Sequence, residues 1–199
     1  TPADEFTFFI ITSPSASYYS GEVHLKVEEK FTRSVEGGTG FAKAAGNYAA
    51  AFAPTKKAQQ AGFTQVIWTD AFEHQYIEES GTMNIMFRIN NTLITPALSE
   101  SILAGITRDS VCKIVTDIME MELLETDIYI KDLLEADEVF CTGTAVVVAP
   151  VGKINFEGKS VSYCSSGIGP ITAKCKNIIT AIQKQEINDP FNWLHNIEQ

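Results

Sequence analysis

Glu78-Glu79-Ser80-Gly81-Thr82-Met83-Asn84-Ile85 sets strand-forming residues on either side of a group of small ones. Upstream, Tyr76 to Glu79 reads as a short strand. Downstream, Asn84 to Ile89 reads as another, followed across the turn residues Asn90-Asn91 by Leu93-Ile94-Thr95. Gln65-Val66-Ile67-Trp68-Thr69 precedes them, so the middle of the chain is expected to be a meander of antiparallel strands. Neighbouring strand residues face opposite sides, so one of Glu78 and Glu79 is expected to point inward and the other into water. Either an inward carboxylate with a chemical task or a pair of surface glutamates at a strand end fits these residues.

On the N-terminal side, Phe6-Thr7-Phe8-Phe9-Ile10-Ile11-Thr12 is aromatic and β-branched and stops at Ser13-Pro14, which predicts a strand buried on both faces. His24 to Glu29 alternates polar and apolar residues, a second strand. Ala44 to Ala61 is rich in alanine and closes at Gly62, the pattern of a helix with a glycine C-cap. On the C-terminal side, Ile106 to Leu124 carries apolar residues at helical spacing, with Asp109 suited to the positive first turn. Ile128-Tyr129-Ile130 predicts a strand and Lys131 to Ala136 a short helix. Glu138 to Pro150 predicts a long strand interrupted at Gly143, and Gly169-Pro170 opens a last helix through Lys184. The aromatic tail Asp189-Pro190-Phe191-Asn192-Trp193-Leu194-His195 is expected to pack back on the domain. The mixture is α+β, with helices laid against a largely antiparallel sheet.

With 199 residues, 45% of them hydrophobic, the chain suffices for one core and is read as a single domain, 1–199. Fifteen basic against 25 acidic residues give a net charge of −10 with no dense basic cluster, so nucleic acid is not an expected partner. The longest apolar runs, such as Ala145 to Val151, fall well short of the roughly 20 residues that span a bilayer, so no membrane segment is expected. Cys112, Cys141, Cys164 and Cys175 have no Cys-x-x-Cys spacing and read as reduced thiols of a cytoplasmic protein. His24, His74 and His195 lie far apart, and no metal is expected. The start at Thr1-Pro2-Ala3, without an initiator methionine or signal peptide, is read as that of a fragment or processed chain.

The run Gly37-Gly38-Thr39-Gly40-Phe41-Ala42-Lys43-Ala44-Ala45-Gly46-Asn47-Tyr48 places Lys43 among small or apolar neighbours, with Tyr48 five positions on. A lysine that forms Schiff bases must shed water to be neutral and nucleophilic near pH 7, so Lys43 is a candidate for covalent amine chemistry. Leu103-Ala104-Gly105-Ile106-Thr107-Arg108-Asp109 brings free backbone amides to a helix start, an arrangement that favours phosphate. Cys141-Thr142-Gly143-Thr144-Ala145 forms a hydroxyl-rich turn able to present amides and hydroxyls to an anion. An amine nucleophile, a carboxylate on a strand and two anion sites are the parts needed to hold pyridoxal phosphate.

In wording and order these segments resemble the branched-chain amino acid aminotransferases, fold-type IV pyridoxal-phosphate enzymes of the class IV aminotransferases, from about Phe6 to the end. The signature appears as Glu79-Ser80-Gly81-Thr82-Met83-Asn84-Ile85, then Leu93-Ile94-Thr95, then Leu103-Ala104-Gly105-Ile106-Thr107-Arg108, with Met86 where Phe or Tyr is usual. The resemblance implies a pseudo-barrel of largely antiparallel sheets with flanking helices, equivalent to the family's large C-terminal domain, the small N-terminal domain being absent. It implies that Lys43 is the Schiff-base lysine and proton shuttle. Tyr48 would bond the cofactor's phenolate oxygen, Glu79 rather than Glu78 would hold the pyridine nitrogen protonated, and the amides of Ile106 and Thr107 would bind its phosphate. Thr144 and Ala145, with Thr82, would meet the substrate carboxylate. Arg33, ten residues before Lys43, matches an arginine often found in these enzymes. Some relatives carry a redox Cys-x-x-Cys where this chain has Val146 and Ala149, so thiol regulation of that kind is not expected. The implied reaction transfers the amino group of leucine, isoleucine or valine to 2-oxoglutarate, in branched-chain amino acid metabolism, in a homodimer whose partners are amino acids and 2-oxo acids. D-amino acid aminotransferases and aminodeoxychorismate lyases share the lysine and glutamate. A non-catalytic domain that binds the cofactor weakly or not at all is the alternative from another class.

Overall fold

Strand β1 (Val23–Val27) buries Val23, Leu25 and Val27 and half-buries the residues between them, the period of two expected of a strand. A computed structural model describes residues 1–14, 19, 21–163, 167–195 and 197. In it β1 lies between two parallel neighbours, β2 (Gln65–Thr69) and β8 (Val147–Phe156). Strands β3 (Ile77–Ser80), β4 (Asn84–Ile89), β5 (Thr92–Pro96), β6 (Glu122–Thr126), β7 (Glu138–Gly143) and β9 (Lys159–Ser162) complete the order β3-β2-β1-β8-β7-β4-β5-β6, with β9 on β8. Five pairings are antiparallel, and three (β1 with β2, β1 with β8, β5 with β6) are parallel, so the sheet is mixed rather than a simple meander.

The sheet curls until its ends meet. Ile77 N donates to Ile128 O at 2.9 Å and Ile130 N to Gln75 O at 3.0 Å, which joins the segment after β6 to the start of β3. The expected pseudo-barrel is therefore present as a curled sheet held at its seam by a few backbone bonds.

Both faces are packed. In β4, Ile85 and Phe87 enter an inner cluster with Leu25, Ile67 and Ile154, while Met86 between them faces an outer one. In β7, Val139 and Cys141 point inward and Phe140 outward. Two covered faces require near-continuous apolar strands, which explains the runs read in the sequence. Helix α2 (Ile106–Lys113) with the π-helical turn that follows it, and α4 (Pro170–Gln183), cover the outer face, with Val111, Ile114, Val115, Cys175 and Ile179 supplying the contacts. Each such buried aliphatic side chain stabilises the fold by about 1.5–3 kcal/mol. Phe191 and Trp193 stack at 4.3 Å between ring centroids and pack on this layer, as expected of the tail. Helix α1 (Ala45–Gln60) closes a third cluster, Ala51, Ala58, Val66 and Trp68, and ends at Gly62 with φ +86°. The short α3 is Ile130–Leu134.

Several expectations need correction. Residues 6–12 form no strand, and Phe6, Phe8, Phe9, Ile10 and Ile11 are 70–87% exposed; a doubly buried strand needs neighbours on both sides, and no described residue supplies them. The helix begins at Ile106 but stops well before Leu124. It passes into a π-helical turn, Ile114–Ile118, reverses at Glu120 with φ 52°, and yields to β6, whose backbone pairs in register with β5. Residues 128–130 make only an isolated bridge. The long strand at 138–150 is a hairpin of β7 and β8, and β9 is unforeseen. Cys164 lies outside the described residues.

The outer helix is locked to the sheet by one carboxylate. Glu138, fully buried in β7, accepts hydrogen bonds from Thr172 N at 2.7 Å, Thr172 Oγ1 at 2.6 Å and Ile171 N at 3.3 Å, capping α4, and Arg88 Nε lies 3.5 Å away. Gly169 leaves the room, since a Cβ there would collide with the carboxylate. Glu138→Ala strands these donors and is expected to cost about 3 kcal/mol; a urea denaturation midpoint unchanged from wild type would contradict this cap.

Candidate active site

Lys43 ends the glycine-rich loop just before α1, and its Nζ donates to Tyr48 Oη at 2.7 Å. Asn47 shapes the approach. Its side chain accepts from Thr39 Oγ1 at 2.7 Å and donates to Thr39 O at 2.7 Å and Ala42 O at 2.9 Å, folding the loop onto the first turn of the helix. One expectation fails here. Lys43 is exposed, as is Phe41, so the small neighbours let the chain turn tightly but do not desolvate the amine.

Glu79 is 3% exposed and Glu78 is also buried, so neither is solvated. The strand sends their side chains apart, yet both reach the segment 101–103. Ser101 Oγ donates to Glu78 Oε1 at 2.5 Å, and Leu103 N donates to Glu79 Oε1 at 2.6 Å. Arg33 Nε lies 3.1 Å from Glu79 Oε2, an ion pair whose N–H is not aimed along the contact. Arg33 Nη2 donates to Ser101 O and, at 3.2 Å, to Gly40 O, so one guanidinium ties the lysine loop, the 101–103 segment and the carboxylate together. Gly40 is needed because a Cβ would strike Ser34 and Ser101 O. Burial pushes the Glu79 carboxyl up to about 7, against the opposing pull of Arg33 and the Leu103 amide.

Asn84 connects this carboxylate to the helix start. Its Nδ2 donates to Leu103 O at 2.8 Å, and its Oδ1 fills the space that a Cβ on Gly105 would need. Gly105 is the N-cap of α2, and no side chain caps the helix there. The first-turn amides of Ile106 and Thr107 therefore have no capping side chain, an arrangement that favours an anion. Arg108 fixes the helix, donating from Nη2 to Pro96 O at 2.9 Å and to Glu125 Oε2 at 2.5 Å, which anchors it to β5 and β6.

Ile106, Thr107 and Thr144 share the wall of one cleft of about 450 Å³. Tyr48, Glu79 and Thr82 line another hollow with Arg33, of only about 20 Å³. Ala145 is exposed on the turn beside Thr144. The two groups are linked through Leu103, whose N–H serves Glu79 and whose carbonyl serves Asn84. The sequence reading names no task for Asn47, Asn84 or Ser101 and no firm one for Arg33. Asn47 and Asn84 each stand near a glycine loop that needs bracing, the signal by which they could have been found.

The donor set fits pyridoxal phosphate: an amine beside a phenol, a buried carboxyl that ionises near neutrality, and an uncapped helix start with a glycine cradle. The described cysteines are poor nucleophiles, since burial pushes Cys112 up to about 11 and Cys141 and Cys175 to about 12.

This curled mixed sheet, with the carboxylate and the helix start linked through Leu103, is the framework of a class IV aminotransferase. The profile of that family, described as Amino-transferase class IV, matches residues 1–154, and the chain belongs to it. It is 44% identical over 197 residues to a branched-chain-amino-acid transaminase of Bacillus subtilis (strain 168), covering 94% of this chain and 55% of that protein. The crystal structure of the Escherichia coli branched-chain amino acid aminotransferase superposes with a TM-score of 0.82 at 25% identity, over 92% of this chain and 60% of that one. A branched-chain aminotransferase from the archaeon Thermoproteus uzoniensis, solved with norvaline, superposes at 0.75 with 30% identity, over 85% and 54%. The chain thus spans about half the length of the relatives it matches.

The raised Glu79 carboxyl has a consequence for stability. Its folded value, about 7, lies above the ordinary 4.5, so the folded chain holds a proton that the unfolded chain releases. Stability from this group is full below pH 4.5 and declines as pH rises through about 7. Glu79→Gln is expected to flatten that decline in thermal unfolding scans between pH 5 and 8 (roughly the titration window), and an identical pH profile in the variant would refute it.

Proposed function

We propose that this chain is the large, cofactor-binding domain of a pyridoxal-phosphate transaminase that moves the amino group of leucine, isoleucine or valine to 2-oxoglutarate. The observation that carries this reading is the Lys43 to Tyr48 contact of 2.7 Å, in a loop that Arg33 ties to the buried Glu79. When bound, pyridoxal phosphate supplies an aldehyde that condenses with amines and a protonated ring that draws electrons from the carbon next to the nitrogen.

Each residue then has a task. Lys43 Nζ would be the amine that holds the cofactor's aldehyde, and the same atom would take up and return the proton of the substrate α-carbon. Tyr48 Oη donates to the ring oxygen. Glu79 accepts the pyridine N–H, and a carboxyl that ionises near neutrality shares that proton readily. The amides of Ile106 and Thr107 receive the phosphate. Thr144 and Ala145, with Thr82, orient the substrate carboxylate by hydroxyl and backbone donors.

Branched-chain substrates are supported by the names of the relatives. In this reading the protein works in the cytoplasm as a homodimer, and a smaller N-terminal domain supplies much of the substrate pocket. A second reading, that residues 1–199 alone bind the cofactor weakly, is favoured by the exposed Lys43 and by the mere 20 Å³ beside Tyr48 and Glu79.

Two measurements decide. Incubated with pyridoxal phosphate, the chain is expected to turn yellow and to retain the cofactor covalently after borohydride, whereas Lys43→Ala does neither; a colourless wild-type chain upholds the second reading. In the longer protein that carries this domain, Lys43→Ala is expected to lower turnover with leucine by at least about a thousandfold. Preference for D-alanine over leucine there would overturn the substrate assignment.

A further inference from the structure

The proposed mechanism gives Glu79 a task but none to Glu78, an equally unusual buried carboxylate. Glu78 Oε1 accepts from Ser101 Oγ at 2.5 Å, while Glu78 Oε2 is buried without a hydrogen-bond partner. A buried carboxylate held by a single hydrogen bond is costly, so its retention calls for a reason. Ser101 offers one. Two residues further on, Leu103 N donates to Glu79 Oε1, and the Ser101 carbonyl accepts from the same Arg33 whose Nε faces Glu79 Oε2. Ser99 Oγ adds a contact to Ser101 Oγ at 2.9 Å. Both groups that steady the ionised Glu79, the Leu103 amide and the Arg33 guanidinium, therefore depend on where Ser101 stands.

We propose that Glu78 is a positioning residue for Glu79: by gripping the Ser101 hydroxyl it seats the 101–103 segment, and so holds the Leu103 amide and Arg33 against the carboxylate that faces the cofactor ring. The inference rests on the cofactor reading above for its functional meaning, but the linkage exists in the chain itself. It also reaches the helix start, because Leu103 O is bound by Asn84, which packs at Gly105.

Two effects of Glu78 on Glu79 have opposite signs, which makes them separable. As a nearby negative charge, Glu78 disfavours ionisation of Glu79; as the holder of Ser101 it favours ionisation by keeping the amide and guanidinium in place. The charged groups facing Glu79 are Arg33, Glu78 and Lys43, with Tyr48 the phenol beside the same hollow, and Asp70 and Arg33 face Glu78.

The test follows the Glu79 carboxyl carbon by NMR titration in the cofactor-free chain, with Glu79→Gln to assign the signal. Ser101→Ala keeps the Glu78 charge and removes the grip, so the Glu79 midpoint is expected to rise by about half a pH unit or more. Glu78→Gln removes the charge and keeps an acceptor for Ser101, so the midpoint is expected to fall. In the double variant Glu78→Gln/Ser101→Ala, the rise caused by Ser101→Ala is expected to persist. A Ser101→Ala midpoint equal to wild type overturns the proposal, as does a Glu78→Ala midpoint, with charge and grip both removed, that falls as far as that of Glu78→Gln. In the same variants pyridoxal phosphate is expected to bind about fivefold to tenfold more weakly to Ser101→Ala than to Glu78→Gln. If no form binds the cofactor, the functional reading fails, while the titration still decides whether Glu78 positions Glu79.

Discussion

Arg33 is the cation about which the site is built. Its guanidinium reaches the carbonyls of Gly40 and Ser101 and lies beside the buried Glu79, so three stretches far apart in sequence converge on one side chain. A buried ion pair is weak evidence for stability, because removing two charges from water offsets most of their attraction. Its value here is geometric. A planar fork of N–H groups fixes directions as well as distances, which a lysine at the same place would not. Loss of Arg33 would leave a buried carboxylate without its counter-charge and two loop carbonyls without that donor, and the lysine loop would keep its bonds to Glu100 but lose its link to β3.

From this clasp the geometry spreads in two directions. Toward α1, Asn47 bonds the backbone of Thr39 and Ala42 and sets the turn from which Lys43 projects. Toward α2, Leu103 is bound on both sides, its amide by Glu79 and its carbonyl by Asn84, which delivers Gly105 and the uncapped amides beyond it. Glu79, Tyr48 and the amides of Ile106 and Thr107 thus stand on β3, α1 and α2, while Lys43 stands on a loop, and that loop and the 101–103 segment are fastened by a side-chain amide, a carboxylate and a guanidinium. Such placement gives loops the precision that a covalent amine and an anion cradle require.

Much of this was legible in the residues. Short strands around Gln65–Thr69 and Asn84–Ile89, the alanine-rich helix with Gly62 beyond its end and the helix start at Gly105 follow from local rules, and the structure has them. What local rules miss is non-local. The parallel pairing of β5 with β6 takes residues 122–124 out of a helical pattern, because backbone partners in register outweigh a weak propensity. Phe6 to Thr12 has the composition of a buried strand, but composition cannot supply neighbours. The burial of both Glu78 and Glu79 was hidden for a related reason: alternation sends two side chains to opposite sides, and only the folded chain shows that a returning segment covers both.

The contrast between an exposed Lys43 and a buried Glu79 shows how the labour is divided. In the proposed reading Glu79 shares a proton with a ring nitrogen, which needs an environment fixed in advance, and the fold provides one through burial, one amide and one guanidinium. The amine role proposed for Lys43 has the opposite requirement: the side chain must reach and move. Tyr48 gives Lys43 a resting partner without enclosing it. In that reading, desolvation of the amine is work for whatever covers it once cofactor and substrate are in place. The small residues around Lys43 in the sequence thus serve the path of the backbone, and the chemistry of the amine depends on the groups that Arg33, Asn47 and Leu103 bring to it.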